Sequence, residues 1–163
     1  MVYLSSGEKE ISSAKHLKIN GDEIGMRWKE EGFSYESDPI SHFKRVKADK
    51  ELFLEMASKL RESGVKDVYV LQLNKRVGKV TEGYAEIDVY AFINIDGAEK
   101  FFNYMKNKMN GSKISGIGDE AAISSTEYSY LVRTSNAFIQ VVVFDGKDVK
   151  RIIAEKVLEK AEK

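Results

Sequence analysis

The sequence predicts an α+β fold: a mainly antiparallel β-sheet with about three helices packed on it, an α-β-α sandwich. Three observations predict it. Residues 83–95 alternate strictly, with Ala85, Ile87, Val89, Ala91, Ile93 and Ile95 apolar at odd positions. Three stretches carry the helical spacing of apolar residues, so the elements run strands, helix, two strands, helix, three strands, helix. Hairpin signals join neighbouring strands, clearest at Ser135-Asn136 and in the charged connection from Asn74 to Gly83.

The 163 residues suit one domain over 1–163. A chain of that length buries roughly two thirds of its unfolded surface and needs no metal or disulfide to hold it. Polar residues 5–15 are expected to be a flexible lead-in. Short strands are expected at His16–Ile19, Gly25–Lys29 and Gly32–Ser37, with turns at Asn20-Gly21-Asp22 and Glu30-Glu31-Gly32. Pro39, the single proline, marks a break after Ser37-Asp38.

A first helix is predicted over 49–63, with Asp49 as N-cap, a stripe of Leu52, Phe53, Met56, Ala57 and Leu60, and Gly64 as left-handed C-cap. Val65–Leu73 reads as a strand, and 83–95 as the next. Asp96, with Glu99 three residues on, reads as the capping box of a second helix, which buries Ala98, Phe101, Phe102, Met105 and Met109 and ends at Asn110-Gly111. Strands follow at about 121–126, 128–134 and 137–144. Asp145-Gly146-Lys147-Asp148 starts a last helix with Val149, Ile152, Ile153, Val157 and Leu158 turned inward. The words NIDGAEKFF and VFDGKDVKR share one recipe for entering a helix from a strand.

Composition excludes several functions. Lysine plus arginine and aspartate plus glutamate both count 26, so the chain lacks the overall field that gathers nucleic acid. Cysteine is absent, which removes thiol nucleophiles, disulfides and thiolate metal sites. Lysine-rich cations and two glutamines lean towards a heat-adapted source. No apolar run reaches the roughly 18 residues of a membrane span. The start, MVYLSSGEKEISS, shows no signal peptide.

Two constellations stand out. Gly116-Ile117-Gly118-Asp119-Glu120-Ala121 fits a written form of the dinucleotide fingerprint. Such a loop must leave a strand and enter a helix, whose N-terminus holds the pyrophosphate. Here a helix end and a loop precede it and a strand-like segment follows, so it reads as a glycine-hinged connection with Asp119 and Glu120 as loop acids. The second is the even face of strand 83–95. It places Tyr84, Glu86, Asp88 and Tyr90 side by side, with Phe92 and Asn94 beyond. Carboxylates two apart on one strand face suit a cation or acid–base chemistry, and flanking aromatics suit a groove. The plainer reading is a solvated face with cross-strand lysines such as Lys66, Lys75 or Lys79.

His16 and His42 are isolated, and no metal site is expected. Ser115, Ser124, Ser125 and Ser129 lie in no nucleophile motif. Trp28 is expected to cover an edge of the core, and Lys75-Arg76 with Lys79 to form a basic turn. No cofactor is expected.

The second half carries a resemblance. EGYAEIDVYAFINIDGAEKFF, then GIGDEAAIS, then YLVRTSNAFIQVVVFDGKDVKRII resembles the PsbP-like domains and the related extracytoplasmic sensor and lipoprotein domains of bacteria and archaea, over about residues 65–160. Gly116, Gly118, Asp119, Glu120 and Ala121 match the loop of that pattern. Arg133, Asn136, Val141 and Val143 match its hairpin, with Ser135 where glycine is usual. The resemblance implies an α-β-α sandwich, exported or tethered to a membrane upstream of Met1, without known catalysis. The expected function is a non-enzymatic extracytoplasmic binding or accessory domain for an unknown small ligand or protein. The alternatives are a small hydrolase or transferase using Glu86, Asp88 and the tyrosines beside them, and a cytosolic protein–protein adaptor using an exposed sheet face.

Overall fold

A computed structural model describes residues 9–40, 50–144 and 149–162. His42, Asp49 and the Asp145–Asp148 helix start lie outside the described residues, as do the side chains of Leu52 and Phe53. The strands are β1 (Trp28–Glu36), β2 (Val65–Val77), β3 (Val80–Phe92), β4 (Ser112–Ile114), β5 (Glu120–Ile123), β6 (Ser129–Thr134) and β7 (Ala137–Phe144). The helices are α1 (Lys50–Glu62), α2 (Ile95–Lys108) and α3 (Val149–Ala161). The strands form one seven-stranded sheet in the order β1-β2-β3-β7-β6-β5-β4, antiparallel throughout. This is the α+β architecture that the alternation and the order of elements predict.

Each sheet face is covered, so β3 is buried on both sides over part of its length. Its odd face (Ala85, Ile87, Val89, Ala91) joins Tyr69, Leu71 and Leu73 of β2 and Ile139 and Val141 of β7 in one core. Ile153, Ala154 and Val157 of α3 close that core, together with Ile11, Ala14, Leu17 and Ile19 of the N-terminal segment. The even face supplies Tyr90 and Phe92 to a second core under α1 (Leu60) and α2 (Ala98, Phe101, Phe102, Met105). Trp28 is buried in the first core, as expected.

The N-terminal segment departs most from expectation. Residues 14–17 form a 3-10 turn where a strand was expected at 16–19, residues 21–23 form a 3-10 turn where a turn was expected, and β1 is one strand, Trp28–Glu36, where two were expected. Nor are residues 9–15 a free lead-in. Asp67 accepts hydrogen bonds from Ser13 Oγ (2.6 Å), Ala14 N–H (3.0 Å) and Tyr35 Oη (2.8 Å). Asn136 binds Ile11 on both sides: its Oδ1 accepts from the Ile11 N–H (2.7 Å) and its Nδ2 donates to the Ile11 carbonyl (2.8 Å). Leu17 and Ile19 alternate like strand residues because the segment lies flat on the sheet.

Smaller corrections concern boundaries. The β2–β3 connection is a turn at Gly78-Lys79, so both strands extend into the expected ten-residue loop. β3 ends at Phe92, which leaves Ile93 62% exposed and places Ile95 in α2. Asn94, not Asp96, caps α2: its side chain accepts the Gly97 N–H at 2.8 Å. Three-residue β4 was not foreseen. In α3, Ile152 is 41% exposed where burial was expected.

Candidate functional site

The even face of β3 divides at Tyr90. From there to Phe92 it is core: Tyr90 packs against the rings of Phe101 (5.5 Å) and Phe138 (6.1 Å). Tyr90, expected as a contact residue, is instead buried, and burial pushes its phenol well above the ordinary value. Towards the other end the next rows are Asp88 between Val70 and Gln140, Glu86 between Gln72 and Val142, and Tyr84 between Asn74 and Phe144. Tyr84, Glu86, Asp88, Gln72 and Gln140 are half-buried there, and Phe144 is exposed.

Among the described residues the carboxylates are not answered by lysine. Glu86 Oε1 accepts from Gln72 Nε2 (3.2 Å) and Tyr84 Oη (3.3 Å). Lys66, one of the lysines expected opposite, donates to the Ile11 carbonyl instead. Asp88 Oδ1 is shielded from water and has no hydrogen-bond partner among the described residues. Burial, reinforced by the neighbouring Glu86, holds the Asp88 carboxyl well above the usual carboxylate range. Burial, with Glu86 alongside, also pushes the Tyr84 phenol up to about 12. Tyr84 stacks on Phe144, which leans on Tyr128, so an aromatic edge borders the two acids.

Sequence reasoning missed Gln72, Gln140, Phe144 and Tyr128. A signal existed for the amides, because the chain has two glutamines and the strand register sets them on either side of β3. The face can accept hydrogen bonds at two carboxyls, exchange them at two amides, and stack a flat or apolar group on tyrosine and phenylalanine. Among the described residues no group of three or more His, Asp or Glu side chains could hold a metal ion.

The glycine loop lies elsewhere and does something different. It joins β4 to β5, so a strand precedes it and a strand follows, and no helix begins there. Gly116 and Gly118 have φ of +83° and +61°. At Gly118 a Cβ would stand 2.7 Å from the Arg133 carbonyl oxygen. Asp119 and Glu120 grip Arg133, whose side chain is 9% exposed. Arg133 Nε donates to Glu120, its Nη1 donates to the Ser135 carbonyl (2.9 Å), and its Nη2 lies 3.5 Å from Glu99. Asp119 Oδ2 accepts the Ser135 N–H at 2.6 Å. Ser135 takes φ of +50°, the conformation that favours glycine. The two sequence words GIGDEA and RTSN therefore meet in one clamp, which fixes the β6–β7 turn and leaves the guanidinium no free face for a ligand.

Of the other residues considered, Ser12 Oγ lies 3.0 Å from His16 Nδ1. Ser124 Oγ accepts the Ser129 N–H within a turn. Arg76, at the β2–β3 tip, faces Glu31 at 4.0 Å.

These features define a class: a single seven-stranded antiparallel sheet between helical layers, with a clamped β6–β7 turn and an acid–aromatic half-face. The fold is similar to that of the extracellular domain of PknH from Mycobacterium tuberculosis, with a TM-score of 0.62 over 95% of this chain and 98% of that one, at 14% identity. At that identity the likeness shows a common fold. No protein-family model matches the chain, and no curated protein sequence does either, so the PsbP-like part of the resemblance has no family match behind it. Among the described residues no helix is long and apolar enough to cross a membrane.

Proposed function

We propose that this chain is a non-enzymatic extracytoplasmic accessory domain that contacts its ligand through Tyr84, Glu86 and Asp88, with Gln72, Gln140 and Phe144 around them. One observation carries the reading: Tyr84, Glu86 and Asp88 stand half-buried in consecutive rows of one strand face, with Gln72, Gln140 and Phe144 on the strands beside them. A ligand that presents N–H or O–H groups would meet the Glu86 carboxylate and the two amides. The structural likeness to an extracellular domain supports the location.

Location and ligand contact have separate tests. The gene upstream of Met1 should encode an export signal or lipid-attachment motif, and a ribosome-binding site directly before Met1 would overturn the extracytoplasmic reading. For the ligand, a panel of amines, amino acids and simple sugars is screened by thermal shift. At least one compound should raise Tm in the wild type and not in the Glu86→Gln/Asp88→Asn double variant. A panel whose hits act equally on both proteins would remove this face as the site.

A further inference from the structure

The corner where β3 passes into α2 holds a cleft that the acid–aromatic face does not use. It encloses about 370 Å³ and is lined by Glu10, Ile93 to Asp96, Ser135 and Asn136. That volume lies within the roughly 300–1,000 Å³ of small-molecule sites. Much of its polar backbone is already engaged. Asn94 Oδ1 takes the Gly97 N–H, Asn136 Nδ2 donates to the Phe92 carbonyl (2.7 Å), and the Phe92 N–H donates to the Asn136 carbonyl (2.8 Å).

What remains is a predominantly apolar wall with two carboxylates. Ile93 is 62% exposed, although it follows directly on a buried strand. Glu10 and Asp96 have no hydrogen-bond or ion-pair partner among the described residues. Glu10 is held at the rim because its neighbour Ile11 is bound on both sides by Asn136.

Past Ile93 the cleft continues into a hollow of about 270 Å³, bordered by Ser63, Gly64, Gly97 and Lys100. The Ser63 residue is 4% exposed, and its Oγ has no hydrogen-bond partner among the described residues. The Ser63 carbonyl approaches Gly97 so closely that a Cβ there would stand 1.9 Å from it. A side chain at Gly97 would therefore part these two walls.

We propose that this cleft binds a small organic cation with an apolar body, an alkyl- or arylammonium. The hydrocarbon lies on Ile93 and Ile95, and the ammonium sits between Glu10 and Asp96. The N-terminus of α2 would by itself favour an anion. Here Asn94 already caps it and Asp96 stands in its first turn, so an anion would meet two carboxylates. Charge complementarity thus selects a cation.

The test is an amide-resolved NMR titration with hexylammonium chloride, with 1-hexanol and inorganic phosphate as comparison probes. Hexylammonium should shift the amides of Ile93, Asp96 and Ser135 saturably. Hexanol should bind about tenfold more weakly, the ratio expected for one lost charge contact of about 1.4 kcal/mol. The Glu10→Gln/Asp96→Asn double variant should lose the same factor while its remaining amides hold their positions, and Asp88→Asn should leave the titration unchanged. Equal affinity for hexanol and hexylammonium, saturable shifts with phosphate, or full binding by the double variant would each overturn the proposal.

Discussion

Asp88 shows how one residue can set the pH response of a fold. Its carboxyl is raised by burial and by Glu86, so the native chain holds that proton to higher pH than the unfolded chain, where an aspartate titrates near 3.9. By linkage, the stability it contributes is fully present below the unfolded value and is lost as pH rises through the native one. Asp88→Asn, which keeps the shape and never ionises, should therefore stabilise the protein at pH 7 by about 1 kcal/mol. In a chain of this size that is a Tm rise of roughly 2–4 °C. At pH 3, where the wild-type carboxyl is also neutral, the difference should vanish; calorimetry at the two pH values checks it. Gly118 offers a second measurement. Gly118→Ala meets both a left-handed backbone and a carbonyl 2.7 Å away, whereas Gly78→Ala meets φ of +63° with nothing within 4 Å. Urea titration should show Gly118→Ala losing about 2–3 kcal/mol and Gly78→Ala about 1. Asp119 and Glu120 were legible as loop acids. Their shared partner Arg133 was not, because cross-strand register, and not sequence distance, brings it to them.

Among the elements, the three helices and the alternating strand were legible because each repeats its period over many residues. Boundaries were not. The odd-position rule carries on through Ile93 and Ile95, but the ladder stops at Phe92, where the chain turns and Asn94 takes the capping role. Sequence alone could not rank Asn94 over Asp96, since both are good caps and only the extended backbone at Asn94 (φ −148°, ψ 171°) decides. Asn94→Ala should cost about 1 kcal/mol in chemical denaturation. Asp96→Ala, which removes only a first-turn charge, should cost about half as much or less. The reverse ranking would return the cap to Asp96. Segments near residues 16–19 were misread for a different reason: alternation there records contact with a flat sheet beneath, not membership of it.

At the scale of the whole molecule, the α+β class was legible but the strand order was not. Nothing local says that β3 pairs with β7. The decisive groups are Asn136, which ties the β6–β7 turn to the end of β3, and the matched apolar rows Ile87–Val141 and Val89–Ile139. The N-terminal segment belongs to this scale too, because it closes a core made by strands distant in sequence. Leu17 has no exposed surface and packs in that core, so Leu17→Ala should cost about 2–5 kcal/mol and lower the urea midpoint without changing the fold's far-ultraviolet spectrum. A loss under 0.5 kcal/mol would show that the segment is not part of the cooperative unit. The acid–aromatic face was half legible: the β3 acids could be read, and the amides on either side of them needed the register.

The sheet order also sets a sequence of events in time. β1-β2-β3 and β4-β5-β6-β7 are each consecutive in the chain, and the β3–β7 pairing alone joins them. Within each run, successive strands pair antiparallel, and β2 and β3 meet across a two-residue turn. The β3–β7 seam has to bring Ala91 to Ala137 across α2 and three other strands, so its loop-closure entropy is the largest in the sheet. The central pairing therefore carries the largest closure cost, and the ribosome must release β7 before the two halves can meet.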